Sequence, residues 1–117
     1  MIEETIRALI ESSYKNTYIG DGSIDIDDCQ WIRAASGNAD LYFAKDSFIT
    51  PQYIIGVRSK KQTDARNIIQ LIYARLQQYV EETKIGLIIT RLPTYVGRDD
   101  KYRSVYTMYV KSLSSEY

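Results

Sequence analysis

Few residues in this chain are equipped for chemistry, and their spacing limits what they can do. Asp99-Asp100-Lys101 contains an acidic-x-Lys triplet. Some divalent-metal nucleases carry such a triplet on a strand, where the carboxylate holds the metal and the lysine assists the attacking water. Here the triplet falls in a turn that opens on Gly97, and no upstream carboxylate is convincingly placed beside it, so an ordinary turn is the better reading. Asp21, Asp25, Asp27 and Asp28 form an acidic cluster that invites comparison with a calcium loop. It lacks the EF-hand spacing, the central glycine and the terminal glutamate, so a solvated loop is favoured. Cys29 has no imidazole to activate it and opens an apolar strand, which fits a buried structural thiol better than a nucleophile. Gly20-Asp21-Gly22 is too short and too acidic to cradle phosphate. The chain has no histidine, which removes histidine bases, the usual triads and imidazole ligands. No catalytic residue, metal or cofactor is expected.

The composition bounds the alternatives. At 117 residues the expectation is one domain spanning 1–117, large enough to bury a core without staples. A content of 44% hydrophobic and 26% charged residues fits a folded globular chain and argues against disorder. Fifteen basic and fifteen acidic residues cancel, so a dedicated nucleic-acid or anionic-membrane binder is disfavoured. Neutrality also removes the self-repulsion that would oppose association. A single cysteine is consistent with a reducing compartment. No segment approaches the ~20 apolar residues of a membrane span, and the early Glu3 and Glu4 argue against a leader peptide. The expectation is a soluble protein of intracellular origin.

The elements that must position these residues are clearer than the chemistry. A first helix is predicted over residues 2–14, with Ile2, Ile6, Leu9, Ile10 and Ser13 on one face and the pairs Glu3–Arg7 and Arg7–Glu11 on the other. Tyr18-Ile19-Gly20 starts a new element, and residues 21–28 form a polar surface loop. Residues 29–35 read as a strand, 40–43 as its hairpin partner through the turn 36–39, and 44–52 as a connection. Residues 53–58 alternate as a strand. The helix over 63–81 is the firmest element, because Ala65, Ile68, Ile69, Ile72, Leu76, Tyr79 and Val80 make a sustained stripe. Thr63 can cap it, and Asp64 sits where the helix dipole favours negative charge. Residues 85–92 are apolar on both faces, which predicts a central strand. The helix is long enough to make strands 53–58 and 85–92 a parallel crossover pair. A strand over 102–110 follows the turn 97–100. The fold class is therefore α+β: a mixed, mostly antiparallel sheet of about five strands with two helices packed on it.

Eleven tyrosines are the remaining anomaly. Tyrosine joins apolar area to a polar tip and is enriched at protein interfaces. On the last strand Tyr102, Tyr106, Met108 and Val110 share one face and Val105, Thr107 and Tyr109 the other, so both faces are expected to be at least partly covered. One face belongs to the core, and the other needs either the rest of the fold or a partner. Tyr73 and Leu71 lie off the helix stripe, at the margin of the core or against another subunit. Arg98, Asp99 and Asp100 follow a glycine in a turn, and their side chains are expected to be exposed. The candidate subunit or partner surface is thus Tyr73, Arg98, Asp99, Asp100, Tyr102, Tyr106 and Tyr109.

The order of elements resembles the tail terminator, or minor capsid, proteins of long-tailed bacteriophages. The first helix, Tyr18-Ile19-Gly20, the strand around Trp31 and Ser36-Gly37 are similar to that family's first half. Tyr53-Ile54-Ile55-Gly56-Val57-Arg58, Asp64-Ala65-Arg66, Ile72-Tyr73, Leu76, Leu92-Pro93, the 97–100 turn and the ending Tyr109-Val110 are similar to its second. Asp21-Gly22 departs from it, standing where many members have Met-Pro. The resemblance implies a non-enzymatic assembly factor without cofactors. Its partners would be copies of itself in a hexameric ring, the tail tube protein and the head–tail connector proteins, with DNA only passing through. Its location would be the virion tail, after assembly in the host bacterial cytoplasm. Tail-to-head joining proteins share the fold and are the neighbouring reading. A small divalent-metal nuclease around Asp99 and Lys101, and an adaptor that binds one host protein, are the competing classes.

Overall fold

The computed structural model describes residues 2–12, 14, 16–20, 25–35, 52–83 and 86–112. The strand expected at 40–43, its expected turn at 36–39 and most of the expected connection 44–52 fall outside them, as does Asp21. Among the described residues the order is α1 (Ile2–Glu11), β1 (Thr17–Ile19), β2 (Cys29–Ala35), β3 (Gln52–Ser59), α2 (Gln62–Thr83), β4 (Leu87–Arg98) and β5 (Ser104–Ser112). The five strands form one sheet in the order β1-β2-β3-β5-β4. Strand β1 runs parallel to β2, and the other neighbours are antiparallel. The fold is α+β, with a mixed, mostly antiparallel sheet.

The helical stripe predicted for α2 packs against the sheet except at Tyr79, which is not part of the core, whereas Tyr73, read as lying off the stripe, packs against it. Ala65, Ile69, Ile72 and Leu76 are buried, while Ile68 and Val80 are partly buried at the margin. They meet Ile32 of β2, Tyr53, Ile55 and Val57 of β3, and Tyr106, Met108 and Val110 of β5, with Ile6 and Ile10 of α1 and Leu87 of β4 completing the core. Alternation along β3 and β5 sends every second side chain into this layer, which is why one stripe on α2 suffices to cover them. Helix α1 ends at Glu11 rather than at residue 14, and Arg7 pairs with Glu11 at 2.8 Å. Helix α2 starts one residue earlier than predicted, and the amide of Ala65 donates to the carbonyl of Lys61. Thr63 therefore lies inside the first turn and does not cap it, whereas Asp64 keeps its favourable place near the positive end of the dipole.

The opposite face is closed around Trp31. Its indole lies against Gly56 so tightly that a Cβ there would stand 2.2 Å from Cε2. Only glycine admits that approach. The Arg58 guanidinium stacks over the same ring at 5.6 Å. Cys29 is buried, its Sγ 3.7 Å from the carbonyl of Ile26, and burial pushes its thiol pKa up. Its burial is what its strand position implied.

Strand β4 is a correction. Among the described residues it is an edge strand, because β5 folds back beside β3 and takes the inner place. Strands β3 and β4 do run in the same direction, each antiparallel to β5, but they are not neighbours. The strand also runs on through Pro93 to Arg98. An edge tolerates this, since proline has no N–H to give to a missing neighbour. Strand β5 begins at Ser104, so Tyr102 belongs to the turn before it.

Candidate assembly surface

The turn joining β4 to β5 is a three-residue hairpin loop. The amide of Asp99 donates to the Arg103 carbonyl at 2.9 Å, and the amide of Tyr102 to the Asp99 carbonyl at 3.0 Å. The Asp99 carboxylate reaches forward along its own chain. Its Oδ1 accepts from the amides of Lys101 at 3.0 Å and Arg103 at 2.9 Å, and its Oδ2 accepts from Arg103 Nε at 2.9 Å. Such local bonding is what aspartate does best at a turn. Tyr102 has φ 61°, the left-handed region that this loop type normally gives to glycine or asparagine. For a tyrosine that conformation costs roughly 1–2 kcal/mol, yet the residue is 76% exposed and gains little burial in return.

Arg103 ties this turn to the loop before β2. Only 5% exposed, it also donates from Nη1 to Asp25 at 3.0 Å and to Asp27 at 3.5 Å. Lys101 pairs with Asp25, and Lys60 with Asp27 at 3.0 Å. Asp28 accepts from Ser59 Oγ at 2.8 Å, and Arg58 donates to the Ile26 carbonyl from Nε at 3.1 Å and Nη2 at 2.8 Å. Hydrogen bonds from Lys101 and then Arg103 hold the Asp25 carboxyl below its ordinary pKa, and Lys60 does the same for Asp27. Burial opposes the charge on Asp99, but the amides of Arg103 and Lys101 and the Arg103 guanidinium outweigh it and lower its pKa. Burial likewise opposes the charge on Arg103, and Asp99 and Asp25 reverse the balance. The acidic loop is therefore an internal counter-ion for the hairpin, and Asp99 is half-buried structure rather than a free surface charge.

At the other end of the hairpin the chemistry is reversed. Strand β4 extends beyond the cover that α2 provides, leaving a groove of about 440 Å³ with mixed apolar and polar walls between them. Tyr73, Leu76 and Val80 of α2 form one wall, Leu87, Ile89 and Leu92 of β4 line the other side, and Gln77 and Glu81 stand with the helix wall. Further along β4, Leu92 is 61% exposed and Val96 62%, with Ile88 and Tyr95 also exposed. Three register shifts against β5 bend the strand, and Gly97 supplies the φ of 131° at the last of them.

The predicted surface residues are thus dispersed. Arg98, Asp100 and Tyr102 are exposed at the turn, where Arg98 Nη1 donates to the Tyr102 carbonyl at 3.1 Å. Tyr73 lines the groove at the opposite end, its hydroxyl accepting from Gln77 at 3.0 Å. Tyr109 is half-buried on the Trp31 face beneath Arg91, at 5.5 Å. Tyr106, a candidate contact residue, is buried, because its parity sends it into the helix layer, where it meets Tyr95 at 5.2 Å and Gln62. Sequence reasoning missed Leu92 and Val96, whose signal was the proline between them, a marker of an edge strand. It also missed Arg103, which stands four residues after Asp99.

Among the described residues no group of three or more His, Cys, Asp or Glu side chains could hold a metal ion. Among them, too, no helix is long and apolar enough to cross a membrane. No protein-family model matches the sequence, and no curated protein matches it.

Proposed function

We infer that this chain is a non-enzymatic assembly protein of a long-tailed bacteriophage, a tail terminator. It forms a ring on the finished tail tube, ends tube polymerisation and offers a docking surface to the head. One observation carries the reading. Asp25, Asp27, Asp99 and Lys101 are engaged with groups of their own chain, while the apolar side chains along β4 and the groove beside it stay open. A chain built this way has contact surface to offer and little free chemistry. Exposed apolar patches rimmed by polar residues mark interaction sites. The order of elements and the recurring residues that resemble the terminator family give the contact its setting. The partners are other copies in a hexameric ring, the tail tube protein and the head–tail connector proteins. DNA passes through the ring without being read. The place of action is the virion tail, after assembly in the bacterial cytoplasm.

The test is light scattering of the purified chain followed by electron microscopy with its tube protein. The expected result is a ring seated on the tube end, with further tube growth stopped. A ring found only on the head side of the joint would reassign the chain to head completion. Magnesium- or manganese-dependent DNA cleavage abolished by Lys101→Ala would instead make it a nuclease.

A further inference from the structure

We propose that copies of this chain meet through unlike edges, the β4 edge of one against the α1–β1 edge of the next. The proposal rests on the ring-forming reading above and assigns its contact. Among the described residues the sheet ends in β1 on one side and β4 on the other, and the two edges differ in charge. Strand β4 carries Arg91 and Arg98 and no acidic residue. Helix α1, which packs over β1 and β2, carries Glu3, Glu4 and Glu11 against Arg7 alone. Arg7 is engaged with Glu11 at 2.8 Å, and Glu4 is exposed.

Two β4 edges brought together would set arginine against arginine with no acid on the strand to separate them, and like charges across an interface select against that pairing. Against the α1–β1 edge the same arginines face glutamates. Apolar surface is present on both sides: Ile19 of β1 is 46% exposed, opposite in the sheet to Leu92 and Val96 of β4. Glu81, beside the groove on α2, repels the neighbour's glutamates and directs them towards Arg91 and Arg98, leaving the groove to an apolar side chain. The contact is made by side chains. Pro93 has no N–H to donate and the register shifts bend β4, both of which hinder continuation of the sheet from one copy to the next. A contact between two different patches leaves one patch free at each end of a growing chain of copies. It therefore closes into a ring when the rotation allows, whereas a like-to-like contact stops at a dimer.

Sedimentation of the full-length chain tests this, with circular dichroism confirming that each variant is folded. Leu92→Asp combined with Val96→Asp disables one edge, and Ile19→Asp disables the other. Each variant alone is expected to sediment as a monomer, and an equal mixture as a dimer, because one intact contact remains between the two kinds of copy. Glu4→Lys, a milder change, is expected to weaken association about tenfold or more, with the loss shrinking as salt is raised. If the β4 variant does not fold, Ile19→Asp and Glu4→Lys decide the matter alone. Assembly by both of these that matches the unchanged chain overturns the proposal, as does a mixture that stays monomeric. An unchanged chain that stays monomeric at every concentration overturns it too. A ring indifferent to both edges removes the proposal and leaves the ring-forming reading intact. Normal tails in a phage lacking the chain remove that reading itself.

Discussion

At the turn end of the β4–β5 hairpin, Arg103 is surrounded by Asp25, Asp27 and Asp99, and the cations of Lys60 and Lys101 complete the cluster. At the other end, Tyr73 and Val80 face Leu87 and Ile89 across a groove that nothing in the described chain fills. The first region is rich in charge and satisfied internally. The second is poor in charge and left open. Polar groups find their partners locally, because a buried unpaired charge is too costly to keep. Apolar edge surface is tolerated in a folded chain and becomes useful when a partner covers it. The turn end should therefore respond to mutation through folding, and the groove end through assembly.

The largest expected effect probes the boundary between the two. Leu76 belongs both to the core and to the groove wall. Leu76→Ala should lower folding stability by about 2–5 kcal/mol in denaturant melts. A loss below about 0.5 kcal/mol would mean that the groove, not the core, owns this residue.

Asp99 comes next. Asp99→Ala leaves Arg103 buried without its closest partner and removes the acceptor for two turn amides, so the melting temperature should fall by about 5 °C or more. The same cluster predicts an acid limb. Asp25, Asp27 and Asp99 have pKa values held below the ordinary 3.8. Their contribution to stability is present above the unfolded-state value and is lost as pH falls through the lowered folded values. Asp99→Asn should therefore narrow the difference in melting temperature between about pH 6 and about pH 3. An unchanged difference would remove Asp99 from the cluster's energetics.

Tyr102 sharpens the comparison from within the turn. Replacing it by glycine relieves the left-handed strain, so Tyr102→Gly should raise stability by up to about 1 kcal/mol. If assembly falls while stability rises, the strained tyrosine is held in place for contact. If assembly is unchanged, the ring has no role there. The smallest folding effect is expected at the open end: Leu92→Ser should change stability by less than about 0.5 kcal/mol and still weaken association.

The elements were largely legible in the sequence because the signals were periodic. The α2 stripe named Ala65, Ile69, Ile72 and Leu76 correctly. Residues 85–92 misled for a physical reason: apolar residues on both faces mark a strand covered on both sides, whether the cover is its own chain or a neighbour. Their exposure on β4 shows that the cover is absent from the described chain, and the proposed contact with a neighbouring copy would supply it. Asp99 misled in the opposite sense. A charged residue in a glycine-led turn reads as solvated, and only the fold brings Arg103 and the distant Asp25 to one place. Tyr106 was separated from Tyr102 by the start of β5, which two residues of boundary error were enough to conceal.

The most direct test of the central claim is the length distribution of tails in electron micrographs of particles made without this chain. The account predicts tails of uncontrolled length, or tails that do not join heads, with normal heads and normal tube protein. It also predicts rescue by the unchanged chain but not by Leu92→Asp combined with Val96→Asp. Tails of normal length on infectious particles made without the chain would contradict it.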